Sequence, residues 1–155
     1  MGIKQRIAIG AATLSAAGLL AITGYEGYSD TAYIPIKGDV PTAGWGHTGS
    51  GVEVGQKVTP DQALTWLKGD TSEAEAAIKR CVKVPLSQGE MDAYTSLAFN
   101  IGSNAFCTST LVKKLNAGDY AGACEEIRRW VYSGGRKVQG LVNRREAEYR
   151  MCIGG

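Results

Sequence analysis

Two carboxylates and a hydroxyl flank a glycine-rich stretch. Glu26 lies in Gly24-Tyr25-Glu26-Gly27-Tyr28, Asp39 lies in Lys37-Gly38-Asp39-Val40-Pro41, and Thr42 follows directly. A carboxyl at the end of an apolar and aromatic helix has its pKa raised by desolvation and stays protonated near neutral pH, as a general acid must. A second, ionised carboxylate and a hydroxyl that holds a water complete the parts needed to hydrolyse a glycosidic bond with inversion. Spacing alone leaves the other reading open, with Glu26 a solvated helix-end charge and Asp39 a turn former. Other chemistries find fewer parts. The single histidine, His47, does not make a Ser-His-Asp set. Gly44-Trp45-Gly46-His47 lacks the lysine and the spacing of a phosphate loop. Without a C-x-x-C pair and with one imidazole, a zinc site is not expected.

The elements that must position these residues show in the pattern. Residues 33–56 are rich in Gly, Pro and β-branched types, which predicts short strands and turns in a small hairpin sheet. From Thr59 the pattern turns helical. Thr59-Pro60 reads as an N-cap with proline at the first helical position, ahead of Ala63, Leu64 and Leu67. Ser87-Gln88-Gly89-Glu90 is a capping box, opening a helix with Met91, Tyr94, Leu97, Ala98 and Ile101 on one face. Ser109 and Asp119 cap two further helices, the second running through Ala123, Ile127 and Trp130. A last helix is expected from about Val138 to Cys152. The predicted class is α+β, a small sheet segregated from a helical lobe. His47 reads as a structural hydrogen-bonding residue. Trp45, Trp66 and Trp130 read as core or cleft packing, and Arg129, Arg144 and Arg145 as helix-surface and interlobe pairs.

The N-terminus carries a different signal. Lys4 and Arg6 precede the uncharged run from Ile7 to Thr23, which holds six Ala, two Gly, two Thr and one Ser beside six large aliphatic residues. As a helix the run would span about 25 Å, short of a hydrocarbon core of roughly 30 Å. A basic flank before an apolar run keeps that end cytoplasmic and sends the rest across. It also resembles an export signal, although Ala21-Ile22-Thr23-Gly24 is a poor cleavage site. Cleaved signal, permanent anchor and weak uncleaved anchor all fit, as does a buried Ala-rich helix of a soluble domain; the basic flank favours export, and export suits four isolated cysteines paired as disulfides. The remaining residues suffice for one compact domain in a chain of 155. The 44% hydrophobic and 21% charged content excludes a disordered chain and a polytopic membrane protein. A net charge of +2 is too weak to argue for nucleic acid.

Taken together, the motifs resemble the phage-type lysozymes, glycoside hydrolase family 24. The resemblance is carried by Glu26-Gly27, Ala32-Tyr33 and Pro41-Thr42-Ala43-Gly44-Trp45-Gly46-His47-Thr48. It continues through Ala98-Phe99-Asn100-Ile101-Gly102, Ser109-Thr110-Leu111 and Leu115-Asn116-Ala117-Gly118-Asp119-Tyr120 to Gly140-Leu141-Val142-Asn143-Arg144-Arg145-Glu146. The weakly apolar segment without a convincing cleavage site is similar to that of the family's signal-anchor-release endolysins. The resemblance implies a lysozyme-like α+β fold and cleavage of the β-1,4 bond between N-acetylmuramic acid and N-acetylglucosamine in peptidoglycan. It implies a monomer without cofactor or metal, with residues 1–24 a signal-anchor-release segment and residues 25–155 the catalytic domain. The enzyme would sit in the bacterial inner membrane, N-terminus cytoplasmic and inactive, until release to the periplasm and host lysis. Outside the bilayer the segment is expected to pack onto the domain as a helix. Glu26 matches the family's catalytic Glu and Thr42 its catalytic Thr. The family's Asp stands nine residues after the Glu, where this chain has Pro35. Asp39 is assigned that role through a reshaped hairpin, and Asp30 is the poorer candidate. The resemblance also implies disulfides Cys81–Cys107 and Cys124–Cys152. Two other classes stay open: a lytic transglycosylase, which uses one Glu and no activated water, and a non-catalytic wall-binding module.

Overall fold

A computed structural model describes residues 4–35, 37–49 and 51–155. The chain divides into two compact units, one comprising the N-terminal residues through Leu19 together with Glu73–Gly155, the other Leu20–Ser72. The fold is α+β, as expected.

The first unit is helical. Helix α1 (Ala16–Glu26) begins in it, and α2 (Pro60–Cys81) ends in it. It then holds α3 (Gln88–Ile101), α4 (Ser103–Cys107), α5 (Thr110–Asn116), α6 (Tyr120–Glu126) and α7 (Gln139–Gly154). Local chemistry sets the starts. Thr59 Oγ1 accepts from the Gln62 N–H at the start of α2. Ser87 and Glu90 form both halves of the capping box on α3. Ser109 and Asp119 accept from the Val112 and Gly122 N–H groups. A cap of this kind contributes about 1 kcal/mol. The core gathers Ile78, Leu86, Met91, Tyr94, Leu97, Phe106, Leu111, Leu115 and Ile127. Disulfides join Cys81 to Cys107 and Cys124 to Cys152, with Cα atoms 5.6 and 5.8 Å apart. Their loops span 26 and 28 residues, worth roughly 3 to 4 kcal/mol each in the chain-entropy account.

Between α6 and α7 lie a 3₁₀ turn (Ile127–Arg129) and a hairpin of β1 (Tyr132–Ser133) and β2 (Arg136–Lys137). The expected helix through Trp130 therefore stops at Glu126 and tightens. The hairpin turn is Gly134-Gly135, both with positive φ of 59° and 77°, the conformation a tight hairpin demands.

Arg144 and Arg145 correct their expected place on the helix surface. Both are buried on α7 and face Glu148, which is fully buried. Arg144 Nε lies 3.2 Å and Arg145 Nε 2.8 Å from its carboxylate, and Ser96 donates to it at 2.6 Å. Arg129 remains exposed and pairs with Glu126. Glu148→Gln removes the buried charge that both guanidinium groups face, so stability should drop by about 3 to 5 kcal/mol. Denaturant titration checks it; a change within 1 kcal/mol would show the cluster to be inert.

The N-terminal run Ile7–Thr23 is not one helix. Ile7 exchanges backbone hydrogen bonds with Leu86, a 3₁₀ turn covers Ile9–Ala11, and α1 starts only at Ala16. The break sits at Ser15, whose Oγ accepts from the Gly18 N–H while its own N–H donates to Asp92. Gly18 is required there, because a Cβ would come within 2.7 Å of Asp92 Cγ. Among the described residues no helix is long and apolar enough to cross a membrane.

The second unit holds the end of α1, a three-stranded antiparallel sheet and the start of α2. Its strands are β3 (Ser29–Tyr33), β4 (Thr42–Gly44) and β5 (His47–Thr48), in the order β3-β4-β5. The sheet thus begins at Ser29, earlier than the composition change at residue 33 suggests. Ala32, Ala43, Val52, Val58 and Ala63 form its small core, with Trp45 and Trp66 packed against them.

Candidate active site

Glu26 is the last residue of α1, half-buried. Gly27 follows with φ +65° and turns the chain out of the helix toward β3, as a left-handed residue does at a helix end. Strand β3 pairs with β4 at Ser29↔Gly44 and Tyr33↔Thr42. Strand β4 pairs with β5 at Thr42↔Thr48 and Ala43↔His47. The sheet register therefore sets Thr42, and the turn Gly44-Trp45-Gly46 follows it.

Gly46 lies close to the carboxylate. Its φ is +79°, and a Cβ built on it would lie 2.9 Å from Glu26 Oε2. No larger residue fits there without moving the acid. One residue on, His47 Nδ1 lies 2.8 Å from Asp70 Oδ2 on α2, and its ring stacks on Trp66 at 4.3 Å. His47 is thus a structural residue that ties β5 to α2. Tyr28 and Trp45 meet with ring centroids 4.9 Å apart.

A cavity of about 400 Å³ opens at this place, lined by Glu26, Gly27, Tyr28, Ser29, Tyr33, Pro35, Thr42, Gly44 and Gly46. The structure therefore brings Glu26 and Thr42 to one hollow. Thr42 Oγ1 donates to the Val40 carbonyl at 3.3 Å, which leaves its lone pairs able to accept from a water. Asp39 is exposed on the loop between β3 and β4 and is not among the lining residues. Pro35 occupies the lining nine residues after Glu26. Asp30 is exposed on β3, accepting from its neighbour Thr31 Oγ1. Sequence reading missed Asp70 as the partner of His47, because nothing local marks a mid-helix aspartate as the holder of a strand histidine. It also missed Gly46 as the floor beneath the acid; the signal available was a glycine between Trp45 and His47, each tied elsewhere.

Comparison with known proteins places these features in a family. The phage lysozyme family model matches residues 23–148. The chain is 36% identical over 152 residues to the SAR-endolysin of Enterobacteria phage P21, covering 96% of this chain and 92% of that one. The endolysin from Escherichia coli O157:H7 phage FAHEc1 is similar in structure, with a TM-score of 0.82 at 37% identity over 93% of this chain and 95% of that one. The muramidase domain of SpmX from Asticaccaulis excentricus also gives a TM-score of 0.82, at 29% identity over 92% and 98% of the two chains.

Proposed function

The chain belongs to the phage lysozyme family, and from that premise we propose that it hydrolyses the β-1,4 bond between N-acetylmuramic acid and N-acetylglucosamine with Glu26, Asp39 and Thr42. It is a lysozyme-type hydrolase of the endolysins, which act on peptidoglycan. The observation that carries the bond assignment is the shared cavity of Glu26 and Thr42, in a fold that also serves a muramidase domain.

Glu26 gives its proton to the bridging oxygen as the glycosidic bond breaks, and positive charge develops on the sugar ring. Thr42 accepts a hydrogen bond from the attacking water, and Asp39 takes the other proton as the water's oxygen bonds the anomeric carbon. Glu26 ends ionised and Asp39 protonated, and exchange with solvent restores both. Asp39 is separated from Thr42 only by Val40 and Pro41, on the loop that enters β4. A lytic transglycosylase is the second reading, favoured by one fact: Glu26 is the one carboxylate among the described lining residues. Product analysis of digested peptidoglycan separates the two. Reducing ends support hydrolysis, and 1,6-anhydro ends would overturn it.

The second carboxylate has its own test. Asp39→Asn should remove the base and cut turnover by about 10² to 10⁴, whereas Asp30→Asn should change it little. Turbidity loss of a wall suspension measures both, and the reverse ranking would refute Asp39.

We also infer that residues 1–24 tether the enzyme to the inner membrane, N-terminus cytoplasmic, before its release to the periplasm. The support is the basic flank and short apolar run together with the SAR-endolysin relative.

A further inference from the structure

Residues 4–15 are gripped by the first turns of α3. Arg6 presents its guanidinium fork to Glu90, with Nη2 at 2.8 Å and Nε at 3.1 Å from the two carboxylate oxygens. The same guanidinium lies 3.6 Å above the Tyr120 ring. Lys4 Nζ adds a contact at 3.1 Å to Glu90 and donates to the Cys152 carbonyl. Ile7 and Leu86 exchange backbone hydrogen bonds of 2.9 and 3.0 Å. Gln88 Nε2 donates to the Thr13 carbonyl at 2.7 Å, and the Leu14 N–H to Glu75 at 3.1 Å. Asp92 takes both the N–H and the hydroxyl of Ser15. Glu90 is fully buried and Asp92 is 5% exposed.

These contacts exclude the membrane-spanning state. In a bilayer the interior N–H groups of a helix over residues 7–23 must pair within that helix, so that of Ser15 is not available to Asp92, and Ile7, at the cytoplasmic end, is held away from Leu86. Lys4 and Arg6 then stay on the cytoplasmic face, across the bilayer from Glu90. A buried carboxylate that loses its cations is strongly disfavoured.

We propose that Glu90 and Asp92 form a latch that captures the N-terminal segment once it leaves the bilayer and opposes its return. The cations that set the segment's orientation in the membrane are the ones the latch grips afterwards. The inference rests on the tethering read above. Burial pushes the Glu90 carboxyl up, but Arg6, the Ser87 N–H and Lys4 outweigh it and hold it below the ordinary carboxylate range, so Glu90 stays charged in mildly acidic surroundings.

Glu90→Gln tests it, since the amide oxygen can still accept from Ser87 while the charge is gone. Arg6→Lys is the second variant; it keeps the positive charge of the flank and loses the fork. In the purified full chain, amide hydrogen exchange at Ile7 should quicken by about tenfold to a hundredfold in each, as expected for losing a hydrogen bond to a charged group. In cells, the membrane-bound share of Glu90→Gln should rise and lysis should come later. Unchanged exchange at Ile7 in both variants would overturn the latch. So would faster exchange with an unchanged membrane share in a wild type that does fractionate with membranes. A wild type never found in the membrane fraction would overturn the tether itself, leaving the exchange result to describe a docking contact alone.

Discussion

Glu26→Gln should reduce wall hydrolysis by a factor of hundreds or more while leaving the fold intact. The leaving oxygen departs as an alkoxide unless a proton reaches it, and general acid catalysis supplies about 10² to 10⁴ in rate. Gln has the shape of Glu and no proton to give. Tolerance of the swap is expected, because the carboxyl is only half-buried at the end of α1 and an amide has nearly its shape. Circular dichroism should therefore overlay the wild type while release of reducing ends collapses. Near-normal hydrolysis would remove Glu26 from the chemistry. Gly46→Ala is the steric counterpart, since its added methyl pushes directly on the acid and should lower turnover with Glu26 still present.

Where caps and periodicity act locally, the fold was legible in the sequence. Ser87 with Glu90, Ser109, Asp119 and Thr59-Pro60 start the helices they were expected to start, because a cap is decided within four residues. What escaped depends on partners far along the chain. Arg144 and Arg145 read as surface cations because a pair with Glu148 three or four residues on looks the same on an exposed helix face, and what buries it is α3, whose Ser96 lies 52 residues from Glu148. The Ile7–Thr23 run read as a continuous helix because Asp92, which draws Ser15 into an N-cap, is 77 residues away. The hairpin at Tyr132–Lys137 has strands of two residues each, too short for any alternation, and only Gly134-Gly135 announces it. At the site, Glu26, Pro35 and Thr42 line one cavity, with Pro35 nine residues after the acid, where the family resemblance implies an Asp. Replacing a carboxylate by proline removes the local signal for a second carboxylate, so Asp39 has to be argued from its proximity to Thr42.

Deepening the anchor should delay or abolish lysis while the protein accumulates in the membrane. The apolar run ends at Thr23, three residues before Glu26. In the tethered state proposed above, the acid would be held at the headgroup surface and the end of α1 that carries it would be constrained by the membrane. The run is short and rich in Ala, so under the tether proposed above leaving lipid should cost little, and loss of the membrane potential should tip the balance. The segment holds no cysteine, so release cannot proceed by a thiol of the anchor exchanging with a disulfide. The structure decides where leucines are informative. Ala12 is fully buried in the helical core, and a leucine there would overpack the folded enzyme and confuse the result. Gly10, Ala16 and Ala17 are exposed, and a Cβ at Gly10 meets nothing within 4 Å. Leucine at these three positions adds on the order of 1 to 2 kcal/mol of insertion free energy on a biological scale, or about fivefold to thirtyfold in partition. The purified triple variant should keep wild-type activity on wall suspensions, because none of the three side chains enters a core. In cells it should remain in the membrane fraction and lyse late or not at all. Unchanged lysis timing with the protein still membrane-bound would show that release is not the switch.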